Sequence, residues 1–517
     1  MDIILSRYGQ FCLGGLVLTS LASCSAAKAE HPNIIYVFPD QMRNCAMSFW
    51  DSPEYAGIYG WQADPVQTPR LDGFAGESVV MSRAMSTCPV SSPYRGMLLS
   101  GMYPERNGVV LNCMSERPES TLDPEAVCIS DVLHANGYFC GYIGKLHAET
   151  PMKNDPANPG HYVSDMVPEW DAYTPAERRH GFEYWYSYGT FDEHKNPHYW
   201  DTDGVRHDPH EFSVKHETDK AIEFLRNRNG ERDPHKPFML MVAYNPPHSP
   251  YKSTDDCMEE DYALYRDKSI SELYVRENAD TTLTKASSIR YYLSNVTAVD
   301  REFGRILDEV RELGLEGNTI IVFTSDHGET MCSHSTYDPK NSIYTESFNV
   351  PFMIRYPGVL RHRVDSTFLT TTDIMPTLLS LAGLKEMIPQ SVQGRDLAGV
   401  IAGSDMGNAR ESALYMRNLN GKTGIDRTVH GYFPEARGIR TSRHTMEISI
   451  RRDGTLKGVR LYDDIADPYQ LNCLDYREHV EIFRELCGQL QELLAESDDI
   501  WYRTGTLEKL DLINKNK

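Results

Sequence analysis

The chain has 517 residues, of which 40% are hydrophobic and 24% charged, a balance typical of soluble globular proteins. Its length is sufficient for a large buried core and for about two or three domains. The formal net charge of −22 argues against a nucleic-acid partner, because phosphate backbones attract basic surfaces. An anionic small ligand would therefore need a locally basic pocket.

The N-terminus has the pattern of a secretory signal. The apolar stretch at residues 11–21 is too short to span a bilayer, and it ends in Leu21-Ala22-Ser23-Cys24, which resembles a bacterial lipobox. Cleavage there would leave Cys24 acylated as the only membrane attachment, whereas cleavage beside Ala27 or Ala29 would leave a free periplasmic protein. We therefore expect a periplasmic protein or an outer-membrane lipoprotein of a Gram-negative bacterium.

Short apolar runs alternate with helical patterns over most of the chain, which predicts an α/β protein with a large, mainly parallel, doubly wound sheet. The clearest strand candidates are residues 34–38, 138–143, 238–243 and 319–323. Residues 218–228 and 296–313 are examples of the helical stretches between them.

The pattern changes after about residue 400. Residues 438–450 and 455–463 are predicted to be two strands joined by the turn Asp453-Gly454. A long amphipathic helix is predicted over residues 476–496. We interpret this region as a smaller C-terminal α+β subdomain.

Polar residues follow each strand candidate directly. In chain order these are Asp40 with Gln41, Lys145 with His147, His248, and Asp326 with His327. Because the loops beyond the carboxyl ends of parallel strands gather at one edge of the sheet, we expect these side chains to meet.

Two carboxylates, an amide oxygen and an imidazole form an oxygen-rich ligand set. Such a set suits calcium or magnesium better than zinc. Taken singly, each motif has an ordinary structural explanation: Asp326-His327-Gly328 is a common turn, and Asp40-Gln41 is a common helix cap. Their repeated position after strands favours the metal site.

A second group of residues centres on Ser91. Pro93 suits the first turn of a helix and Gly101 suits its end, so Ser91 is predicted to lie at a helix N-terminus, where free N–H groups favour an anion. Arg95 would lie one turn further along on the same side. The alternative is an N-capping serine with a surface arginine.

These residues resemble the formylglycine-dependent (type I) sulfatase family of the alkaline phosphatase superfamily. Ser91-x-Pro93-x-Arg95, followed by residues 98–104 and 107–109, is similar to the signature around the modified residue. Further similar segments are residues 32–41, 144–147, 247–250, 325–329, Lys340 before 350–351, 373–377, 461–463 and 467–468. The resemblance implies a signal peptide with a lipobox over 1–24, an alkaline-phosphatase-like catalytic domain over 30–400 and the smaller α+β subdomain over 401–517.

Within the signature, only Ser91 fits the modified position. Counting from Cys88, proline falls at the first position instead of the second, and the fourth position is Ser92 instead of arginine. The resemblance therefore implies oxidation of Ser91 to 3-oxoalanine (formylglycine) by a serine-type sulfatase-maturating enzyme. Gln41 and His327 depart from the Asp and Asn usual at those ligand places, but each offers a lone pair.

The resemblance also implies the cofactor and the residue roles. A calcium ion, with magnesium as the alternative, would be bound by Asp40, Gln41, Asp326, His327 and the modified Ser91. Arg95, Lys145 and Lys340 would stabilise the negative charge that spreads over the sulfuryl group in the transition state. His248, with Lys340, would protonate the leaving alcohol, and His147 would act when the hydrate returns to the aldehyde.

The expected substrate is a sulfated saccharide, an O-sulfated sugar from mucin or a glycosaminoglycan. Two other functions stay open on the sequence: a phosphodiesterase or phosphonate hydrolase of the same superfamily, and a non-catalytic lipoprotein that binds sulfated glycans. His334, Arg437 and Arg440 are weaker candidates for substrate contact, since loop histidines and paired arginines are common. The segment 163–210, rich in Tyr, Trp, His and Asp, is either a sugar-stacking wall or a packed loop.

Overall fold

The computed structural model describes residues 31–155, 158–164 and 166–512. The predicted signal peptide, its lipobox and Cys24 lie outside the described residues. Within the described ranges, no helix has both the length and the apolar character needed to cross a membrane.

The core of the molecule is an 11-stranded sheet with the strand order β11-β2-β12-β10-β1-β9-β3-β6-β7-β8, in which β13 also pairs with β2. Together with the separate hairpin β4–β5, the strands in chain order are β1 (Asn33–Val37), β2 (Val79–Met85), β3 (Phe139–Lys145), β4 (Asn154–Asp155), β5 (Asn158–Pro159), β6 (Tyr184–Tyr188), β7 (Tyr199–Asp201), β8 (Arg206–His207), β9 (Phe238–Ala243), β10 (Thr319–Thr324), β11 (Asn349–Val350), β12 (Phe352–Arg355) and β13 (Arg363–Thr370). The central strands β10, β1, β9, β3 and β6 are parallel, the next pairs outward on both sides are antiparallel, and β13 is parallel to β2.

Helices cover both faces of this sheet, and the last three helices of the described chain pack in the C-terminal subdomain instead. The helices in chain order are α1 (Pro69–Ala75), α2 (Ser91–Ser100), α3 (Pro104–Asn107), α4 (Ile129–Ala135), α5 (Ser213–Arg226), α6 (Glu259–Tyr262), α7 (Ile270–Leu273), α8 (Ile289–Glu312), α9 (Thr345–Phe348), α10 (Ile374–Leu381), α11 (Ala398–Ala402), α12 (Val480–Glu496), α13 (Ile500–Arg503) and α14 (Thr506–Lys509). Alternate side chains of β1 point to opposite faces: Ile35 and Val37 pack in one core with α1, α5 and α8, and Ile34 and Tyr36 pack in the other with α2, α4 and α10.

This arrangement confirms the predicted doubly wound α/β fold. The four strand candidates are β1, β3, β9 and β10, and the two helical stretches are α5 and α8. Both helices begin more than one turn before the predicted start, at Ser213 and Ile289. The register of β1 with β9 and β10 is parallel along its whole length, which brings the ends of these strands to one edge.

The C-terminal region forms a second, antiparallel sheet of four strands in the order β14-β15-β16-β17. Its strands are β14 (Ser412–Thr423), β15 (Val429–Thr441), β16 (His444–Ile450) and β17 (Leu456–Asp463). The amphipathic helix α12 packs on this sheet. The domain division at 400/401 falls inside α11, and the second sheet begins at Ser412.

One strand prediction in this region is wrong. Residues 438–450 are not a single strand, because the chain turns between β15 and β16. The Thr441 hydroxyl accepts hydrogen bonds from the N–H groups of Arg443 and His444, at 3.3 and 2.9 Å, so a side chain rather than a glycine forms this turn. The turn predicted at Asp453-Gly454 is confirmed, with Gly454 at φ +82°.

The C-terminal subdomain supports the helix that carries Ser91. Cys88, Met97 and Tyr103, from α2 and its two flanks, are buried among apolar residues of the second sheet and α12. The two sheets therefore hold α2 between them, with Tyr94 and Leu98 on the side of the main sheet.

Candidate active site

The loops that follow β1, β3, β9 and β10 meet at one edge of the main sheet, as predicted. The Ser91 hydroxyl lies at the centre of this meeting point, 3.1 Å from His327 Nε2, 3.4 Å from Asp40 Oδ1 and 3.4 Å from Lys340 Nζ. Ser91, Asp40 and His327 are fully buried. Residues far apart in the sequence therefore share a single polar centre.

The local structure of α2 explains the position of Ser91. Val90 is the extended residue before the helix, Ser91 is its first residue, and Gly101 ends it in the left-handed region at φ 65°. The side chain of Ser91 faces the polar centre, and Arg95, one turn later, is 1% exposed. The alternative interpretation, a capping serine with a surface arginine, is therefore wrong.

Arg95 and Lys145 bind the two carboxylates of the centre. Arg95 Nη2 lies 3.1 Å from Asp40 Oδ2 and 3.2 Å from Asp326 Oδ2, and its Nη1 donates to the Lys145 carbonyl at 2.6 Å. Lys145 Nζ lies 2.9 Å from Asp40 Oδ2 and donates to Asn245 Oδ1 at 3.1 Å. Each cation is thereby held in one orientation.

The two carboxyl groups differ in their protonation behaviour. Burial raises the pKa of Asp40, but the charges of Lys145 and His248 outweigh this effect and hold the pKa of Asp40 well below its ordinary value. Burial and the charge of Asp40 raise the pKa of Asp326 to about 7. The formal charges of the two carboxylates and of Arg95 and Lys145 cancel, and a cation bound beside Asp326 would lower the raised pKa of this carboxyl group.

The donor atoms fit the predicted metal ion. Asp40, Asp326 and His327 have ligand atoms within 4.8 Å of one another. Gln41 Nε2 donates to Glu329, and this leaves Gln41 Oε1 buried without a hydrogen-bond partner among the described residues. An amide oxygen with no partner, on a residue whose backbone N–H donates to Asp326 Oδ1 at 2.9 Å, suits a hard divalent cation.

His327 is suited to the same role. Its Nδ1 lies 3.0 Å from the Gly328 carbonyl, so the N–H donates there and Nε2 keeps a free lone pair. Burial and the charge of Lys340 lower the pKa of His327 well below its ordinary value. The imidazole is therefore neutral, as a metal ligand must be.

His147 also presents one free ring nitrogen. Its Nε2 lies 3.1 Å from the Cys113 carbonyl, while its Nδ1 is buried and has no partner among the described residues. Burial, Lys145 and Arg95 lower the pKa of His147 well below its ordinary value. A neutral imidazole with an unused lone pair is able to accept a proton from a neighbouring group.

His248 and Lys340 form a pair on the other side of Ser91. His248 Nε2 lies 3.1 Å from Lys340 Nζ, and His248 Nδ1 lies 2.8 Å from the Ser249 carbonyl and 3.3 Å from Asp192 Oδ1. Burial lowers the pKa of Lys340. The pair can exchange a proton at a point 3.4 Å from the Ser91 hydroxyl.

A cavity of about 360 Å³ opens over this centre. Ser91, Lys145, His147, His248 and Lys340 line its floor. Its wall comes from the segment 163–210, which supplies Ser164, Met166, Glu169, Trp170, Asp171, Thr190, Phe191, Asp192 and Glu193. This aromatic and acidic segment is therefore a cavity wall, with a size and polarity suited to a small polar ligand.

Sequence analysis missed several residues of the site. Asn245 follows β9 directly, and Asp192 lies a few residues after β6, so the rule that found the other residues at strand ends applies to both. Glu329 stands within the segment 325–329, and its contact with Gln41 joins the loops that follow the neighbouring strands β10 and β1. Asn112, at the cavity edge, follows no strand and carried no local signal.

Three weaker candidates lie outside the cavity lining. His334 stacks on Tyr344 with ring centroids 3.6 Å apart. Arg437 pairs with Asp499 at 2.8 Å, and Arg440 pairs with Asp464 at 3.2 Å. These contacts give each of the three residues a structural role, so we assign none of them to the substrate.

Comparison with known proteins identifies the family. Residues 32–384 match the Sulfatase family model, and residues 332–496 match the model for the C-terminal region of N-sulphoglucosamine sulphohydrolase. The chain is 53% identical over 497 residues to an endo-4-O-sulfatase of Bacteroides thetaiotaomicron, which covers 95% of this chain and 98% of that protein. It is 31% identical over 502 residues to an ulvan-active sulfatase of Formosa agariphila, which covers 94% of this chain and 86% of that protein.

Solved structures agree with these relatives. A Bacteroides thetaiotaomicron sulfatase, described with the metabolism of multiple glycosaminoglycans, has a TM-score of 0.92 at 53% identity and covers 93% of this chain and 99% of that chain. A putative sulfatase of Bacteroides fragilis has a TM-score of 0.79 at 31% identity and covers 92% and 97%. The chain belongs to the sulfatase family, has the alkaline-phosphatase-like fold, and is a sulfuric ester hydrolase.

Proposed function

We propose that this sulfatase removes sulfate from O-sulfated sugars within glycosaminoglycan-type chains, and that position 4 of the sugar carries the sulfate. The observation that carries the proposal is the position of the Ser91 hydroxyl, at the floor of a sugar-sized cavity and within 3.4 Å of both His327 Nε2 and Lys340 Nζ. The name of the 53% identical relative, an endo-4-O-sulfatase, supports the choice of position.

Ser91 acts, in this proposal, after a serine-type sulfatase-maturating enzyme has oxidised it to 3-oxoalanine. A sulfate ester of serine is stable and would need a second attack by water. The hydrate of an aldehyde offers one hydroxyl to attack sulfur and a second whose loss of a proton re-forms the carbonyl and releases sulfate. Cys88 is not an alternative, since its side chain belongs to the apolar core of the C-terminal subdomain.

Asp40, Gln41, Asp326 and His327, with the modified Ser91, are the residues that would hold the divalent cation, calcium or alternatively magnesium. When bound, such an ion polarises a sulfate oxygen and lowers the pKa of an adjacent hydroxyl. Arg95 and Lys145 keep Asp40 ionised and in place, which serves this site directly. Lys340, whose ammonium group has no carboxylate within salt-bridge distance in the described chain, supplies positive charge to the sulfuryl group.

Two histidines divide the proton transfers. His248, next to Lys340, protonates the oxygen of the leaving alcohol. His147 Nδ1 accepts the proton that is lost when the carbonyl re-forms, because its other nitrogen is already bonded to the Cys113 carbonyl. Separate donors and acceptors on two sides of Ser91 allow the two half-reactions to proceed without rearrangement of the site.

The cellular location remains the one that we expected from the sequence. We propose export by the signal in residues 1–24, followed by acylation of Cys24 and retention at a periplasmic or outer-membrane surface. Metabolic labelling with a radioactive fatty acid is the test. Label in the native chain that is absent from Cys24→Ala supports the anchor, and an unlabelled native chain that is released in soluble form contradicts it.

Sulfate release from defined substrates tests the proposed function. A Ser91→Cys variant, made in a host that oxidises cysteine, is assayed on sulfated mono- and oligosaccharides, including regioisomers, and on a phosphodiester. We expect release from a 4-O-sulfated sugar and none in Ser91→Ala. If mass spectrometry verifies an aldehyde at residue 91 and no sulfated sugar releases sulfate, the proposal is contradicted. Hydrolysis of the phosphodiester would then indicate a phosphodiesterase. Binding of a sulfated glycan without hydrolysis would indicate a glycan-binding protein.

A further inference from the structure

A second cavity, a groove of about 360 Å³, lies next to the active-site cavity and shares Asn112 with it. Val90 and Pro93, on either side of Ser91, line this groove, as does Asn341, the neighbour of Lys340. Its volume falls within the range of about 300–1,000 Å³ that is usual for ligand sites. The groove therefore begins beside the groups that act on the sulfate ester.

The other side of the groove belongs to the C-terminal subdomain. Asn418, Leu419 and Asn420 of β14 line it together with Arg452, which follows β16. Arg117 comes from the catalytic domain and lines the same groove. The groove thus lies at the junction of the two domains, where an extended ligand that leaves the active-site cavity would have to pass.

Two guanidinium groups meet in this groove on one residue, Asn420. Arg117 Nε donates to Asn420 Oδ1 at 2.9 Å, and Arg452 Nη2 donates to the Asn420 carbonyl at 2.8 Å. Arg117 Nη1 also donates to the Asn112 carbonyl at 2.9 Å, and Arg452 lies over the Phe433 ring at 5.0 Å. These contacts orient both guanidinium groups, but all of them are with neutral partners.

Neither arginine forms an ion pair within the described part of the chain. Arginines inside the strands of the second sheet do form ion pairs: Arg417 lies 3.1 Å from Glu435, Arg437 lies 2.8 Å from Asp499, and Arg460 pairs with Glu447. The two arginines share Asn420 as a partner and so place two positive charges side by side in a chain whose net charge is −22. Burial lowers the pKa of Arg117, an effect that a bound anion would oppose.

We infer that this groove, defined by Arg117, Asn420 and Arg452, binds an anionic group on a sugar adjacent to the sugar that is desulfated. The inference rests on the proposed function and extends it. In this extension the enzyme recognises a stretch of a polyanionic chain and not only a single sulfated sugar. Guanidinium groups bind both carboxylates and sulfates through paired hydrogen bonds. The anion is therefore the carboxylate of a neighbouring uronic acid or a second sulfate.

The test compares Arg452→Ala with Arg451→Ala. Arg451 is the preceding residue and carries the same charge, but its guanidinium bonds to the Leu456 carbonyl and does not line the groove. The kcat/KM for sulfate release is measured on a 4-O-sulfated glycosaminoglycan tetrasaccharide and on the 4-O-sulfated monosaccharide. We expect the ratio of the two values to fall about tenfold to a hundredfold in Arg452→Ala, mainly through KM, and to stay at the native value in Arg451→Ala.

Two modified tetrasaccharides identify the anion. In the first, the carboxylate of each uronic acid is reduced, which leaves a neutral sugar. The second carries a single sulfate, the 4-O-sulfate that the enzyme removes, and no other. The effect of Arg452→Ala should disappear for the tetrasaccharide that lacks the recognised anion. Arg117→Lys, which keeps the charge but loses the paired geometry, should give an intermediate ratio.

Binding to the Ser91→Ala variant separates this inference from the proposed function, since it needs neither maturation nor turnover. Calorimetry with the same tetrasaccharide should show a weaker affinity when Arg452→Ala is added to Ser91→Ala. Circular dichroism first verifies that Arg452→Ala and Arg117→Lys are folded. If both then keep the native ratio of kcat/KM values and the native affinity for the tetrasaccharide, the anion site in the groove is contradicted and the proposed function stands. Binding that depends on Arg452, without sulfate release by the matured enzyme, would support the groove and overturn the proposed function alone.

Discussion

The floor and the wall of the active-site cavity are built in different ways. The floor consists of residues at strand ends and at the start of α2, and Asp40, Ser91, Arg95 and Asp326 are at most 1% exposed. The wall comes from the long irregular connections in residues 163–193, where Met166 is 62% exposed. Most of the floor thus lies on or directly beside buried strands and α2, with His248 and Lys340 added from loops, whereas the wall lies mainly on loops.

This difference predicts that changes in the floor affect the chemical step and that changes in the wall affect the choice of substrate. The floor holds its charges by contacts with other floor residues, such as Arg95 with Asp40 and Asp326. Charged residues of the wall segment pair mostly with other residues of that segment and so stabilise its conformation, as Asp171 does with His198 at 2.7 Å. Four experiments test the distinction.

Ser91→Ala should have the largest effect. We expect sulfate release to fall by about ten-thousand-fold or more, because the nucleophile is lost, while affinity for a sulfated oligosaccharide changes much less. Sulfate is measured by ion chromatography and affinity by calorimetry. Ser92→Ala is the matched control, since the Ser92 hydroxyl accepts from the Cys113 N–H and does not line the cavity. Release by Ser91→Ala within tenfold of native would contradict the assignment.

Removal of divalent cations should have the next largest effect. Chelation should abolish turnover and lower Tm, and calcium at about 100 times its Kd should restore about 3 kcal/mol of stability. Asp326→Asn should lose this calcium-dependent rise in Tm.

The control for the metal experiment is Asp373→Asn, which alters another buried carboxylate. Asp373 pairs with Arg410 at 2.8 Å, outside the site, so this variant should be less stable but should keep the calcium-dependent rise in Tm. Equal calcium responses in Asp326→Asn and the native protein, measured by differential scanning calorimetry, would show that the ion binds elsewhere.

His248→Ala should slow the release of sulfate from a sugar by about a hundredfold to ten-thousand-fold, because an alcohol leaves poorly without a proton. On an aryl sulfate with an acidic phenol the loss should be much smaller. Asp192→Asn, which alters the partner 3.3 Å from His248 Nδ1, should give a weaker effect of the same kind, about tenfold. An equal loss on both substrates would mean that His248 does not protonate the leaving group.

Trp170→Ala should have the smallest effect of the four, and on a different kinetic parameter. Trp170 lines the cavity, with its ring centroid 6.0 Å from that of His147, and offers an apolar face to a sugar. We expect KM to rise about threefold to tenfold with little change in kcat. Tyr337→Ala, at an aromatic residue that is 65% exposed and outside the cavity lining, should match the native enzyme. A large loss of kcat in Trp170→Ala would abolish the distinction between floor and wall.

Most of the floor could be predicted because its signals are local. Residues 34–38 and 320–323 are hydrophobic throughout, as is typical of strands buried on both faces, and the polar residues after them stand out. Pro93 and Gly101 indicate the limits of α2 within a single helix. The turn at Thr441–His444 lacks Gly, Pro or Asn, so the division between β15 and β16 was missed.

The sequence by itself determined the order of the elements, the family resemblance and the candidates for the reacting residues, because each depends on neighbours along the chain. Only the tertiary structure decided which segments form the wall, that Gln41 Oε1 lacks a partner, and that Arg117 and Arg452 meet on Asn420. The contact of Arg117 with Asn420 joins positions 303 residues apart and that of Arg452 with Asn420 positions 32 residues apart, and no periodicity or motif encodes either contact. They arise when packing of the two sheets brings irregular loops together, and burial then sets the charge and orientation of the side chains that meet there.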